Sequence, residues 1–144
     1  MKALFNDIKF EANLGSIIRH AYCFGIEEII LTENQRSLKP NKTFKCSAGI
    51  YDKMKITKVK LEDFLNNYVG RKICPIPNKN CKKLSEFKFE KNDLLIFGNE
   101  DNVPNKIKDS ADEFLYIPMD EKITKQCLNL ATSFSIIAYE QWKG

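Results

Sequence analysis

Asp93-Leu94-Leu95-Ile96-Phe97-Gly98 is an uninterrupted apolar run with a carboxylate before it and a glycine after it. A strand with one wet face alternates polar and apolar residues. This one is apolar on both faces, which predicts a strand covered on both sides, as in a parallel sheet packed between helices. Outward from it, Ile26-Glu27-Glu28-Ile29-Ile30-Leu31 reads as a strand, and so does the segment 112–117, halted by Pro118. Residues 1–6 form a first strand, 54–60 alternate as a strand does, and 72–75 lead into Pro75-Ile76-Pro77. Helical stretches intervene. Asn13 stands as an N-cap before Leu14, Ile17, Ile18 and Ala21 on one face, and Gly25 supplies the C-terminal stop. Leu61, Phe64, Leu65 and Tyr68 mark a short helix closed by Gly70, whereas 32–44, with Pro40, is polar and reads as loop. The last element spans about 124–142, with Cys127, Leu130, Ala131, Phe134, Ile137 and Ala138 at helical spacing. The alternation predicts an α/β fold, a mostly parallel sheet flanked by helices, in a single domain over 1–144.

Composition bounds the function. With 43% hydrophobic and 29% charged residues in 144, the chain has the balance of a soluble globular domain rather than a disordered or membrane one. No apolar run approaches the roughly 18 residues a membrane span requires. The N-terminus reaches Asp7 too early to form the apolar centre of a signal peptide, so a cytoplasmic location is expected. The five cysteines (Cys23, Cys46, Cys74, Cys81, Cys127) are widely spaced, and His20 is the single histidine. That pattern predicts reduced, mostly buried thiols and no metal site. Charge is uneven: residues 36–91 carry fifteen Lys/Arg against five Asp/Glu, while both flanking segments are net acidic. A basic central third fits either a face for a polyanion or a solvated lysine-rich surface.

Three segments carry the chemistry. They are Asn13-Leu14-Gly15-Ser16-Ile17-Ile18-Arg19-His20-Ala21 with Phe24-Gly25; Leu95-Ile96-Phe97-Gly98-Asn99-Glu100; and Ile117-Pro118-Met119 followed by Cys127-Leu128-Asn129-Leu130-Ala131-Thr132. Each is unremarkable alone. In this order and separation they resemble the three sequence motifs of the SpoU (TrmH-like) branch of the SPOUT methyltransferases, and Lys45-Cys46-Ser47-Ala48-Gly49 resembles the short segment often found between the first two.

That resemblance implies a SPOUT fold whose C-terminal part is a trefoil knot, S-adenosyl-L-methionine as cofactor, RNA as substrate, and a homodimer in which the C-terminal helix takes part. The implied reaction is attack of a ribose 2′-oxygen on a sulfonium methyl, with a leaving group good enough that no metal is required. By resemblance Arg19, Asn13, Glu100 and Asn129 form the catalytic set, and Gly98, Ile117, Met119, Cys127 and Leu128 meet the cofactor. Arg19 is expected to position the hydroxyl and stabilise a developing alkoxide, because arginine hardly ever loses its proton. Asn13 is expected to help orient Arg19, and Gly98 to let the backbone approach the cofactor closely. Lys42, Lys45 and Lys53 of the basic third are expected to bind RNA phosphates, in the absence of a separate RNA-binding domain. Small members of the family often modify tRNA, which favours tRNA over rRNA. The broad apolar surface of the last helix predicts that a charge at Phe134 or Ile137 weakens the dimer. Two departures stand out: Cys127-Leu128-Asn129 where the family usually has Ser-Leu-Asn, and Asp101-Asn102-Val103-Pro104 where further glycines are usual. They leave open a second reading, a catalytically degenerate member that binds RNA or a partner protein.

Overall fold

The computed structural model describes residues 1–125 and 128–144. Among them, seven strands form one sheet: β1 (Lys2–Phe5), β2 (Glu28–Thr32), β3 (Ile56–Val59), β4 (Lys72–Pro75), β5 (Lys82–Lys83), β6 (Leu94–Phe97) and β7 (Glu113–Tyr116). Their order is β3-β2-β1-β6-β4-β7-β5, and every pairing is parallel. The helices are α1 (Glu11–Cys23), α2 (Pro40–Cys46), α3 (Leu61–Asn67), α4 (Asn105–Ser110) and α5 (Leu130–Lys143). The expected class is therefore the observed one, with the run that predicted it, β6, at the centre between β1 and β4. β6 and β7 are inserted beside strands laid down earlier in the chain, an order consistent with the C-terminal trefoil knot that the resemblance implies.

The two faces of the sheet build two cores, because successive side chains point to opposite sides. Leu4, Ile30, Leu94 and Ile96 meet Leu65 of α3 and Ile107 of α4. Ala3, Phe5, Ile29, Leu95 and Phe97 meet α1 and α5. There Phe134 lies edge-on to Phe5 and Phe97 with ring centroids 5.3 and 5.9 Å away. At the N-terminal ends of the strands, Arg71 clamps β4, β6 and β7 together through Asp93 (2.9 and 2.7 Å) and Glu113 (2.8 Å). The opposite, C-terminal ends are left to loops.

Several local expectations are corrected. Asn13 is not the N-cap: α1 starts at Glu11, with Phe10 in the cap position and no side-chain cap of its own. The polar stretch read as loop holds α2, which begins on Pro40; proline's fixed φ and missing N–H suit a first helical turn. α2 hid from the pattern because its one buried residue is Thr43, and α4 because its one buried residue is Ile107. β5 is a two-residue exposed strand inside the lysine-rich surface. The last helix starts at Leu130 rather than near 124, because the Asn129 side chain accepts from Thr132 N–H at 2.7 Å and caps it. Of the described cysteines only Cys74 is buried, which pushes its thiol up to about 12. Cys46 and Cys81 are half-buried and Cys23 is exposed, so the expectation of mostly buried thiols does not hold for the described ones.

Candidate active site

Parallel sheets bind ligands beyond the carboxyl ends of their strands, and the motif segments gather there. Gly98 follows β6 directly. The loop after it closes on itself: Asn99 N–H donates to the Asn102 carbonyl at 3.0 Å, and Asn99 Oδ1 accepts from the Asp101 and Asn102 amides at 2.9 and 3.2 Å. A Cβ on Gly98 would overlap the Asn102 carbonyl oxygen and stand 2.7 Å from Val103 Cα. Glycine is thus required by the loop's own backbone, a different reason from the cofactor approach inferred from sequence.

This turn projects Glu100 toward the start of α1. Its carboxylate accepts from Lys9 N–H at 2.9 Å, Phe10 N–H at 3.1 Å and Asn13 Nδ2 at 3.0 Å. The first amides of a helix have no partners within it, and the helix dipole is positive there. A carboxylate from a distant loop supplies acceptors for the two amides just ahead of α1 and negative charge near its positive end. Asp101 adds an ion pair to Lys9 Nζ at 2.6 Å. The loops after β1 and β6 are therefore stapled together, with Asn13 in the staple.

Beside them lies a cleft of about 170 Å³ lined by Gly98, Glu100, Asp101, Ile117 and Leu128, with Pro75, Ile76 and Pro77 on the far wall. Four expected site residues, Gly98, Glu100, Ile117 and Leu128, thus share one cavity. Met119 lines an adjoining cleft of about 80 Å³ that shares Pro77 and Ile117 with the first. Asn129 is engaged as the α5 cap. Cys127 lies outside the described residues. Arg19 is exposed on α1, about 9 Å along the axis from Asn13 at 1.5 Å per residue. Among the described residues its side chain makes no ion pair or hydrogen bond, and Asn13, expected to orient it, bonds Glu100 instead. The next residue, His20, contacts the Ser135 hydroxyl of α5, and burial together with the Arg19 charge lowers its pKa.

Gly15 of the first motif has a packing role. A Cβ there would overlap Cys46 Cβ and stand 2.7 Å from the Thr43 carbonyl, so glycine lets α2 lie close against α1. That seats Lys42 and Lys45 on α2, with Lys53 in the 3-10 turn Tyr51–Lys53, all three exposed. The sequence did not point to the Lys9 and Phe10 amides, since backbone groups carry no residue signature. The Pro75-Ile76-Pro77 wall had one available signal, its place just past a strand's carboxyl end. Among the described residues no cluster of His, Cys, Asp and Glu is placed to hold a metal, and no helix is long and apolar enough to cross a membrane.

Comparison with known proteins places this geometry in a family. A protein of Borreliella burgdorferi described as an uncharacterized tRNA/rRNA methyltransferase is 32% identical over 144 residues, spanning 95% of this chain and 61% of the relative. The SpoU methyltransferase AviRb from Streptomyces viridochromogenes, solved with AdoMet, superposes with a TM-score of 0.86 at 23% identity, over 99% of this chain and 59% of its own. The AdoMet-bound rRNA methyltransferase from Sinorhizobium meliloti gives 0.86 at 20% identity, over 99% and 55%. The TrmH/SpoU tRNA modifying enzyme of A. aeolicus gives 0.80 at 22%, over 99% and 73%. These structures share the fold, and this chain spans somewhat over half the length of the first relatives it matches. Residues 2–139 match the SpoU rRNA Methylase family, and the chain belongs to it.

Proposed function

We propose that the chain transfers a methyl group from S-adenosyl-L-methionine to a ribose 2′-hydroxyl of tRNA or rRNA in the cytoplasm, with tRNA the first substrate to try. The observation that carries this reading is the Glu100 staple, which unites the first and second motifs on the rim of one cleft. The cleft's described lining holds Glu100 and Asp101 and no lysine or arginine, so although both carboxylates are already bonded to Lys9, Phe10 or Asn13, no described lining residue repels a cationic ligand with apolar parts. Bound AdoMet in the AviRb and S. meliloti structures supports the same choice. When bound, the cofactor would supply a methyl on a sulfonium whose sulfur departs as a neutral thioether, and the ribose hydroxyl would give up its proton to solvent. Gly98, Ile117 and Leu128 would hold the cofactor in the cleft, with Met119 in the adjoining one; Cys127 is assigned to the cofactor by family resemblance alone. Glu100 and Asn13 fix the rim, Asn129 sets the start of α5, and Arg19 faces the attacking oxygen as its negative charge develops. Lys42, Lys45 and Lys53 neutralise RNA phosphates. Incubation with isotopically labelled S-adenosylmethionine and unmodified tRNA or rRNA transcripts, then nucleoside mass spectrometry, is expected to yield a 2′-O-methylnucleoside. A base-methylated product would refute the ribose assignment.

The second reading, a degenerate member that binds RNA or a partner protein, is favoured by one observation: Asp101, in place of a family glycine, is tied to Lys9 at the cleft. Calorimetric titration with S-adenosylmethionine separates the two, because only the transferase requires binding.

The working unit we propose is a homodimer through α5. Phe134 and Ile137, assigned to the contact from sequence, are fully buried in the chain's own core, so charges there would break the fold rather than the dimer. The apolar surface α5 leaves exposed is instead Ile136, Tyr139 and Trp142, with Phe24 of the α1 end packed on both aromatic rings. Tyr139→Asp with Trp142→Asp is expected to give a folded monomer by light scattering, whereas Phe134→Asp loses the circular-dichroism signature of the fold. A wild-type protein that is monomeric at micromolar concentration would overturn the dimer.

A further inference from the structure

A second cleft, of about 200 Å³, opens on the α2 side of the molecule. Buried Leu14 and Leu31 and half-buried Leu38 line it, together with the exposed side chains of Tyr51, Arg36 and Lys58. No carboxylate lines it, in contrast to the catalytic cleft with Glu100 and Asp101. Tyr51 is 38% exposed, and Lys58 is exposed and makes no ion pair among the described residues. Arg36 is paired with Asp7 at 2.7 Å yet keeps 45% of its side chain exposed.

The cleft is tied to the catalytic site through segment 7–11. On one side Lys9 and Phe10 give their amides to Glu100. On the other, Asp7 binds Arg36, and Gln35 Oε1 accepts from Ile8 N–H at 2.8 Å while its Nε2 donates to the Ile8 carbonyl at 2.8 Å. The same cleft adjoins the basic face: Thr43, between Lys42 and Lys45, lines it, and Tyr51 opens the turn that ends at Lys53.

A slot lined by three leucines, a proline and one aromatic side chain, with Gln35, Ser37 and Thr43 adding polar groups, suits a planar base with hydrogen-bonding edges, and the cations beside it suit the phosphate attached to that base. The geometry points to a subsite for a nucleotide flanking the methylation target, its base in the slot against Tyr51 and its phosphate on Lys58 and Arg36. This subsite rests on the RNA-modifying reading and names where that RNA is gripped away from the reacting ribose.

The test uses three fluorescein-labelled probes of equal length: a uridylate decamer, an adenylate decamer and an abasic ribose-phosphate decamer. The wild-type protein is expected to bind the two base-bearing decamers more tightly than the abasic one. Tyr51→Ala lowers base-bearing affinity by about tenfold, the scale of one base stacked on one aromatic ring, and leaves abasic binding alone. Tyr51→Trp restores the preference. Lys58→Ala weakens all three probes and reduces the magnitude of the log–log salt slope by about 0.7, one phosphate contact on a single strand. A wild-type protein that binds all three alike, or binds none, overturns the subsite, as does a Tyr51→Ala variant with the full wild-type preference. S-adenosylmethionine titration of the same samples keeps the two readings apart. Failure to bind the cofactor with the base preference intact would sink the transferase reading and leave the subsite standing.

Discussion

Arg19→Ala is expected to lower the proposed methyl transfer by about 10²–10³-fold, the usual loss on removing one donor from a developing oxyanion, while fold and cofactor affinity stay at wild-type levels. In the proposed reaction the nucleophile is a ribose hydroxyl, a very weak acid whose oxygen would gain negative charge as it attacks. A guanidinium stays charged at any working pH and stabilises that charge without taking a proton. The Arg19 side chain is exposed and makes no hydrogen bond or ion pair among the described residues, so its removal disturbs little packing. Alanine is also the best helix former, which keeps α1 intact. Nor does Arg19 line the cleft proposed for the cofactor. Single-turnover rates with a verified RNA, beside calorimetry for S-adenosylmethionine, measure both halves. Wild-type turnover in the variant would remove Arg19 from the mechanism. Arg19→Lys, which keeps the charge and loses the planar fork, is expected to fall between.

What the sequence made legible divides by physical origin. β6 was readable because burial on both faces writes itself as four consecutive apolar residues, and that fixed the class of sheet around it. α2 and α4 were not, since each rests a single buried residue on its neighbours and leaves no periodic trace. Glu100, Gly98, Ile117 and Leu128 were singled out by family resemblance, and the fold brings them to one cavity. Glu100 was expected to accept hydrogen bonds from the Asn13–Arg19 cluster or from backbone amides at the knot; it accepts from Asn13 and from two amides roughly ninety positions earlier in the chain, whose identity no residue type marks. Phe134 and Ile137 were misassigned for a related reason. Helical spacing shows that α5 is broadly apolar, but which stripe faces the sheet depends on Phe5 and Phe97, aromatic rings from the first and sixth strands.

Gly98→Ala is expected to destabilise the protein by about 3 kcal/mol, the upper end of ordinary overpacking, and to weaken S-adenosylmethionine binding by at least tenfold. The added methyl would occupy the position of the Asn102 carbonyl oxygen and crowd Val103 Cα at 2.7 Å. Both obstacles are backbone, so no side-chain rotation relieves them and the turn itself must open. Opening it breaks the Asn99–Asn102 bond at 3.0 Å, which sets the direction in which Glu100 leaves the loop. Once Glu100 withdraws, the Lys9 and Phe10 amides at the start of α1 lose their acceptor and Asn13 loses its partner. One methyl group thus deforms the cleft wall and releases the staple ahead of α1 in the same motion, which is why two observables should move together. Thermal denaturation reports the first and cofactor calorimetry the second. Glu100→Gln, which leaves the turn intact but removes the charge at the helix start, is expected to cost about 1 kcal/mol. If Gly98→Ala bound the cofactor as tightly as wild type, the loop after β6 would not form the wall of the cofactor site, whatever the change in stability.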